Sequence, residues 1–150
     1  MQVLVSSVCA SKFQPPANFS THPAADPQQG MGSELNPKKI LVVDDEKDLA
    51  DISLVLLGLH GLNAVVAYSA SDALLILEAD PEIDAVFSDI KMPGMSGIEL
   101  AEVMRRRFPH IKVLLTSGYA PPNWLAGYSK AHEIVVKPYD VADVVKRLRK

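Results

Sequence analysis

Cysteine is almost missing from this chain. The 150 residues include a single cysteine, Cys9, so no internal disulfide can form and the rest of the chain has no thiol-based metal site. The opening segment MQVLVSSVCA carries no Lys or Arg ahead of its apolar residues, which makes it a poor signal peptide, and no apolar run approaches the length of a membrane span. We therefore expect a protein of the reducing cytoplasm that does not enter a membrane.

Positive charge is also scarce. The formal net charge is −3, and the one cationic run, Arg105 to Arg107, falls where a helix is predicted to end and where cations complement the helix dipole. No basic stripe follows the chain, which argues against a nucleic-acid-binding surface. Apolar residues make up 48% and charged residues 22% of the chain, as is typical of a soluble domain that buries a core.

The first 37 residues have no sustained helical or strand period. Their small and polar residues are interrupted by Pro15, Pro16, Pro23, Pro27 and Pro37. This composition predicts a disordered extension over residues 1–37, followed by a single domain over residues 38–150. Met31, shortly before the domain, is an alternative to Met1 as the translation start.

From Lys38 onward, short apolar runs alternate with helical patterns. Five runs predict strands, over residues 40–43, 64–68, 83–87, 112–115 and 134–136. Strands that alternate with helices imply a parallel sheet with right-handed crossovers. The predicted fold is therefore a doubly wound, five-stranded α/β domain with helices on both faces and the flavodoxin-like strand order 2-1-3-4-5.

The helices between these strands differ in how clearly the sequence defines them. The first is predicted to bury Leu49, Ile52, Leu56 and Leu59, and the last to bury Val141, Val144, Val145 and Leu148. Between the fourth and fifth strands, Pro121, Pro122 and Gly127 interrupt the helical pattern. We expect that segment to be short or mobile.

The most informative stretch is IDAVFSDIKMPGMSG, residues 83–97. An apolar strand there leads to one carboxylate, Asp89, in front of a loop rich in proline and glycine. Ser96 and Glu99 have the spacing of a capping box, which predicts that the next helix begins at Ser96. In open α/β sheets, ligands bind at the carboxyl ends of the strands, where Asp89 lies. A lone aspartate in that position is also typical of a solvated loop, so the interpretation depends on its neighbours.

Further polar residues follow the ends of other strands: Asp44, Asp45, Ser117 and Lys137. If the first and third strands are neighbours, the carboxylates of Asp44 and Asp45 crowd together with that of Asp89. Two such charges about 4 Å apart repel by roughly 4 kcal/mol at an effective dielectric near 20, so the cluster needs a cation or a shifted pKa. Carboxylate oxygens without His or Cys favour magnesium.

A phosphoryl group would complete such a site. An aspartate can attack phosphorus, magnesium and the Lys137 ammonium can neutralise the transferring oxygens, and the Ser117 hydroxyl can donate to one of them. Each residue also has a structural interpretation: Lys137 as a strand-end lysine with a solvated charge, Ser117 as a turn former, and one of Asp44 and Asp45 as a helix cap. Their joint placement favours the functional interpretation.

Four motifs together resemble the receiver domain of two-component response regulators: ILVVDDE, SDIKMPGMSG, VLLTSGY and VVKPY. The resemblance covers residues 38–150. It implies that Asp89 is the phospho-acceptor. It also implies that magnesium is held by Asp44, Asp45, Asp89 and the main chain of Lys91.

The same resemblance implies that Ser117 is the switch hydroxyl, that Lys137 is the phosphate-sensing cation and that the Lys137–Pro138 bond is cis. Counting from Val113 favours Ser117 over Thr116 for the hydroxyl position. Ile134 departs from the family pattern, since many receivers carry an aromatic residue there, and this puts an aromatic switch in doubt.

The function that these features predict is a stand-alone receiver domain, phosphorylated on Asp89 by a histidine kinase or a phosphotransfer protein, with an unknown downstream protein as its target. No output domain is expected, because the chain ends at Lys150. The alternative is a detached receiver of a hybrid histidine kinase. An aspartate-dependent phosphatase would need an acid/base two residues after the nucleophile, where Lys91 stands. A flavin-binding module would need a phosphate loop after the first strand, where the chain has DDE.

Overall fold

The computed structural model describes residues 36–119 and 121–150. They belong to one compact unit with a sheet of parallel strands in the order β2-β1-β3-β4-β5. The strands are β1 (Ile40–Val43), β2 (Ala64–Ala67), β3 (Ala85–Asp89), β4 (Lys112–Ser117) and β5 (Glu133–Val136). The predicted fold class and strand order are confirmed. The predicted disordered extension lies outside the described residues, apart from Asn36 and Pro37.

Helices cover both faces of the sheet. They are α1 (Lys47–Leu59), α2 (Ala70–Ala79), α3 (Gly97–Arg107), α4 (Pro122–Tyr128) and α5 (Val141–Leu148). On one face, α1 and α5 bury a cluster that includes Leu57 and Val144. On the other face, α2 and α3 bury a second cluster that includes Leu77 and Met104. The sheet therefore lies between two apolar layers.

The central strands are buried along their whole length. All residues of β1 and of β3 are buried, and a strand that is covered on both faces requires apolar side chains at successive positions. The sequences ILVV and AVF meet this requirement. The backbone that leads into Asp89, the last residue of β3, is consequently fixed by packing from both sides.

The start of α3 follows the predicted capping pattern. The Ser96 hydroxyl accepts a hydrogen bond from the Glu99 amide at 3.2 Å, and the Glu99 carboxylate accepts one from the Ser96 amide at 2.8 Å. This reciprocal pair satisfies two amides that a helix start otherwise leaves unbonded. Ser69 accepts from the Asp72 amide in α2, and Asp140 caps α5. The box at Ser96 begins α3 soon after Asp89 and so limits the length of the loop between them.

The predicted inward face of α1 is wrong for three of its four residues, and only Leu56 is half-buried. Ile52 and Leu59 are 53% and 78% exposed, and Leu49 is also exposed, whereas Ala50 and Leu57 are buried. The error has a physical cause: apolar residues occur almost all round this helix, so the 3.6-residue period fits more than one face. Packing against the sheet selects the face that carries Ala50, and an apolar stripe is left exposed on the other side.

The interrupted segment before β5 forms a helix of seven residues, α4, with Pro122 at its first position. None of its residues is buried. Its length of seven residues agrees with the prediction of a short segment. Among the described residues, no helix has both the length and the apolar character needed to cross a membrane.

Candidate functional site

Three carboxylates meet where β1 and β3 end. These strands are neighbours, with Val43 beside Ser88, so the next residue of each strand is brought to the same edge. One oxygen from each of Asp44, Asp45 and Asp89 lies within 4.8 Å of the others. Asp44 and Asp89 are buried and Asp45 is exposed. The sequence prediction that these carboxylates lie together is thus matched by their geometry.

Asp89 lies in an unfavourable place for a negative charge. It is 8% exposed, and its pKa is raised above the ordinary aspartate value, first by burial and further by the charge of Asp44. The Lys137 ammonium lies 3.5 Å from Asp89 Oδ1 and opposes this rise. The ionised carboxylate therefore has one cationic neighbour and retains an electrostatic cost that a bound cation would relieve.

Lys137 reaches Asp89 from the end of β5. Its backbone amide donates to the Ser117 carbonyl at 2.8 Å, which ties the end of β5 to the end of β4. The Lys137–Pro138 bond is cis, as the resemblance implied. Ser117 and Lys137 thus arrive at the site together, although they lie far apart in the sequence.

Ser117 and Thr116 differ in their surroundings. Ser117 lines the cleft around Asp89, and its hydroxyl donates to the Tyr119 carbonyl at 2.9 Å. Thr116 is 3% exposed, and its hydroxyl has no hydrogen-bond partner among the described residues. Of the two, Ser117 is therefore the hydroxyl that faces the cleft, and its present partner is a loop carbonyl.

The cleft extends well beyond the acidic cluster. Its volume is about 880 Å³, and it includes Lys91, whose main chain the resemblance gives as a magnesium ligand. The lining residues that the sequence did not single out are Glu46, Ile90, Met92, Pro93, Ser96, Gly118, Tyr119 and Trp124. All of them lie within seven residues of the ends of β1, β3 and β4, which meet at this edge of the sheet, so their positions in the sequence indicate the cleft.

Trp124 lines the cleft. It also packs against a small apolar cluster of Ile90, Ala101 and Leu115, together with Ile134, and its ring centroid lies 5.0 Å from that of Tyr128. Trp124 is therefore in contact with both the cleft and the packing beneath α4. The position that departs from the family pattern, Ile134, lies in the same cluster.

The carboxylates fit a hard divalent cation. Magnesium prefers oxygen ligands, takes one or two protein carboxylates and completes its shell with water and phosphate oxygens. Asp44, Asp45 and Asp89 supply such oxygens within 4.8 Å of one another. The pKa of Asp89 is raised, which marks a site where added positive charge is favourable. One oxygen of Asp44 already accepts the Glu46 amide at 3.0 Å, so the other remains for a metal.

Comparison with known proteins identifies the family. The family model for the response regulator receiver domain matches residues 40–149. A receiver domain protein from Clostridium thermocellum is 28% identical, with a TM-score of 0.67 over 73% of this chain and 90% of that one. The response regulator TrrA from Thermotoga maritima, solved with Mg²⁺–BeF, is 32% identical, with a TM-score of 0.65 over 74% and 98%. The receiver domain of the hybrid histidine kinase CckA is 28% identical, with a TM-score of 0.59 over 73% and 94%.

Proposed function

Since this chain belongs to the response regulator receiver domain family of two-component signalling, we propose that Asp89 accepts a phosphoryl group from a histidine kinase or a phosphotransfer protein. The observation that carries this proposal is the position of Asp89: a buried carboxylate at the end of the central strand, beside two further carboxylates and 3.5 Å from the Lys137 ammonium. Phosphoryl transfer is favoured by positive charge near the transferring oxygens, which Lys137 would supply together with a metal held by the carboxylates.

The transfer exchanges one bond to phosphorus for another. A carboxylate oxygen of Asp89 forms the new O–P bond as the N–P bond of the donor phosphohistidine breaks, and the imidazole leaves with the electron pair and takes up a proton from solvent. The Lys137 ammonium neutralises charge on a transferring oxygen. Burial of Asp89 limits the access of water to the acyl phosphate. The chain thus acts as a phospho-acceptor, and its surface after transfer is the signal to a downstream protein.

Magnesium is the proposed cofactor, held by Asp44, Asp45, Asp89 and the main chain of Lys91. When bound, it would supply positive charge to the phosphoryl oxygens. TrrA, which was solved with Mg²⁺–BeF, is a member of the same family. The acidic cluster in this chain supports the proposal that it also binds magnesium.

Asp45→Ala should weaken magnesium binding by about tenfold or more, because it removes one unit of negative charge from a site with few protein ligands. Asp48→Ala is the matched control, since Asp48 is exposed in the first turn of α1 and lies outside the acidic cluster. Calorimetric titration with MgCl₂ measures both. Equal affinities for the two variants would remove Asp45 from the ligand set.

Ser117 is the proposed switch hydroxyl. In its present position it donates to the Tyr119 carbonyl, so donation to a phosphoryl oxygen would release that carbonyl and free the loop that begins at Gly118. Trp124, across the cleft, packs on the cluster next to this loop. Movement of the loop should therefore alter the environment of the indole, and Trp124 is the one tryptophan of the chain.

Magnesium with beryllium fluoride, which mimics the phosphoryl group, should change Trp124 fluorescence in the wild type and much less in Ser117→Ala. Thr116→Val provides the matched control, because it removes the neighbouring hydroxyl, which does not line the cleft; its response should equal that of the wild type. If Ser117→Ala responds as fully as the wild type, the signal runs through Lys137 and β5 instead.

The exposed stripe of α1 is the proposed docking surface for the phosphodonor. Ile52 and Val55 are 53% and 57% exposed, and α1 begins directly after Glu46 at the rim of the cleft. A protein that brings a histidine to Asp89 must cover this rim, and the adjoining apolar residues offer area to bury. The donor we propose thus contacts both the cleft and α1.

Ile52→Glu combined with Val55→Glu should lower the rate of transfer from a protein donor, relative to the rate with acetyl phosphate, by more than about tenfold. The probe is a purified phosphotransfer protein of the source organism, phosphorylated on its histidine. Leu75→Glu is the control, because Leu75 is 65% exposed on α2, and it should keep the ratio of the two rates. An unchanged ratio in the α1 variant would reject this surface.

We propose that the chain works as a separate receiver in the cytoplasm. The likeness to TrrA, a response regulator protein, supports this proposal, and the single cysteine of the chain is compatible with a reducing compartment. The likeness to the CckA receiver supports the alternative, a receiver from a hybrid histidine kinase. A phosphatase is disfavoured by Lys91, which stands where a second acid/base would be needed.

A further inference from the structure

Tyr139 lies two residues after Lys137, in the connection between β5 and α5. Its ring meets the ring of Phe87 edge to face, with centroids 5.7 Å apart and an interplanar angle of 79°. Phe87 lies in β3, two residues before Asp89. Because side chains alternate along a strand, Phe87 and Asp89 project from the same face of the sheet. The Phe87–Tyr139 contact therefore joins the two segments that carry Asp89 and Lys137.

The surroundings of Tyr139 hold its ring in one place. Tyr139 is half-buried and packs against the cluster beneath α1 and α5. Together with Phe87 it lines a small cavity whose other walls are Ser53, Leu56, Leu57, Val141 and Val144. Contacts from three elements of the fold thus converge on this ring.

The ammonium of Lys137 has few other constraints. Its side chain is 27% exposed, and a lysine side chain has many rotamers that burial must restrict. On one side of Lys137 the backbone amide is bonded to the Ser117 carbonyl of β4. On the other side, the nearest aromatic contact with the central strand is the one made by Tyr139. Removing that contact would take away an aromatic contact between the segment after β5 and β3, and the Lys137 ammonium would depend more on its ion pair with Asp89.

We propose that Tyr139 is a positioning residue for phosphoryl transfer: by packing on Phe87, its ring holds the end of β5 against β3 and keeps the Lys137 ammonium within 3.5 Å of Asp89. This inference rests on the proposed function of Asp89. Tyr139 acts through Lys137 and touches no reacting atom. It should therefore affect the rate of transfer and leave the metal site intact.

Tyr139→Leu should lower the rate of Asp89 phosphorylation by acetyl phosphate, at saturating magnesium, by about five- to tenfold. Magnesium affinity, measured by calorimetry, should change by less than about twofold, because Tyr139 is not one of the three residues of the acidic cluster. Tyr139→Phe keeps the ring and should retain the wild-type rate. Tyr68→Leu is the matched control, since Tyr68 follows β2 and is 37% exposed, on the far side of the sheet from β5.

A double-mutant cycle separates positioning from a general loss of stability. In a Lys137→Ala background, Tyr139→Leu should have no further effect on the rate, because the group that the ring positions is gone. The same fall in both backgrounds, or an equal weakening of magnesium binding, would overturn the proposal. Phe87→Leu removes the other half of the contact and should reproduce the Tyr139→Leu pattern, so the test stands even if one variant folds poorly. If the wild type and Tyr139→Leu are labelled equally, the positioning role alone is rejected. If the wild type is not labelled at all, the proposed function of Asp89 is rejected.

Discussion

Asp89→Asn is expected to abolish labelling by acetyl phosphate and by a phosphohistidine donor. An amide has no carboxylate oxygen with which to form an acyl phosphate, so the loss should be complete. Asp48→Asn makes the same change at an exposed position in α1 and should label at the wild-type rate. Full labelling of the Asp89 variant, measured by intact mass, would show that the phosphoryl group is carried elsewhere.

The same substitution should raise the melting temperature of the metal-free protein by a few degrees. The pKa of Asp89 is raised, first by burial, which means that the folded protein binds this proton more tightly than the unfolded chain does. Stability contributed by the protonated form is therefore lost as the pH rises through the raised pKa, and the ionised carboxylate costs stability at neutral pH. Asparagine removes that cost.

Magnesium should reverse the order of the melting temperatures of the wild type and Asp89→Asn. A ligand that binds only the folded state stabilises it by RT ln(1 + [L]/Kd), or about 2.7 kcal/mol at a hundredfold excess over Kd. The wild type should gain this stabilisation and Asp89→Asn much less of it. A wild type that is already the more stable protein without magnesium would contradict the electrostatic account of Asp89.

Gly97→Ala should be the most damaging small substitution in the region. A Cβ at Gly97 would collide with the carbonyl oxygen of Asp89 and approach the Cα of Ile90 to 2.9 Å. Both are backbone atoms of a buried strand end, so relief requires movement of the chain that carries the acceptor. We expect a loss of about 1–3 kcal/mol in the free energy of unfolding together with a large fall in labelling.

Gly58→Ala is the control for this change. Gly58 lies within α1, and a methyl group added there would meet no atom within 4 Å outside its own helical turn. Replacing a helical glycine by alanine should stabilise the protein by about 0.5–1 kcal/mol. Urea denaturation measures both effects. If Gly97→Ala is as stable and as well labelled as the wild type, the loop after Asp89 is not fixed by this close approach.

The parts of the fold that could be predicted from the sequence are those set by local patterns. The capping box at Ser96 depends on residues three apart, and the apolar run before Asp89 can satisfy both faces of a buried strand. The predicted inward stripe of α5 is also correct, because Asp143, Lys146 and Arg147 occupy most of the other positions and leave the helix one apolar face. In α1, by contrast, eight of the thirteen residues are apolar and they lie on more than one face, so contacts with the sheet decide between Leu49 and Ala50.

The site follows the same division. The charged residues of the site lie at the end of a strand or just after one: Asp44, Asp45, Asp89 and Lys137. Because a parallel sheet brings strand ends to one edge, their proximity could be inferred from topology alone. The role of Tyr139 could not, because its ring meets that of Phe87 across a long sequence separation. The contact between Tyr139 and Phe87 joins residues from β3 and from the connection after β5, and no local pattern encodes it.

The most direct test of the central claim is to locate the phosphoryl group chemically. The wild-type protein is labelled with acetyl phosphate and magnesium and then reduced with sodium borohydride, which converts an aspartyl phosphate to homoserine, and its peptides are sequenced by mass spectrometry. We predict homoserine at position 89 and at no other aspartate, in an amount that follows the extent of labelling. Homoserine at position 44 or 45, or a labelled protein without any homoserine, would contradict the assignment of Asp89 as the phospho-acceptor.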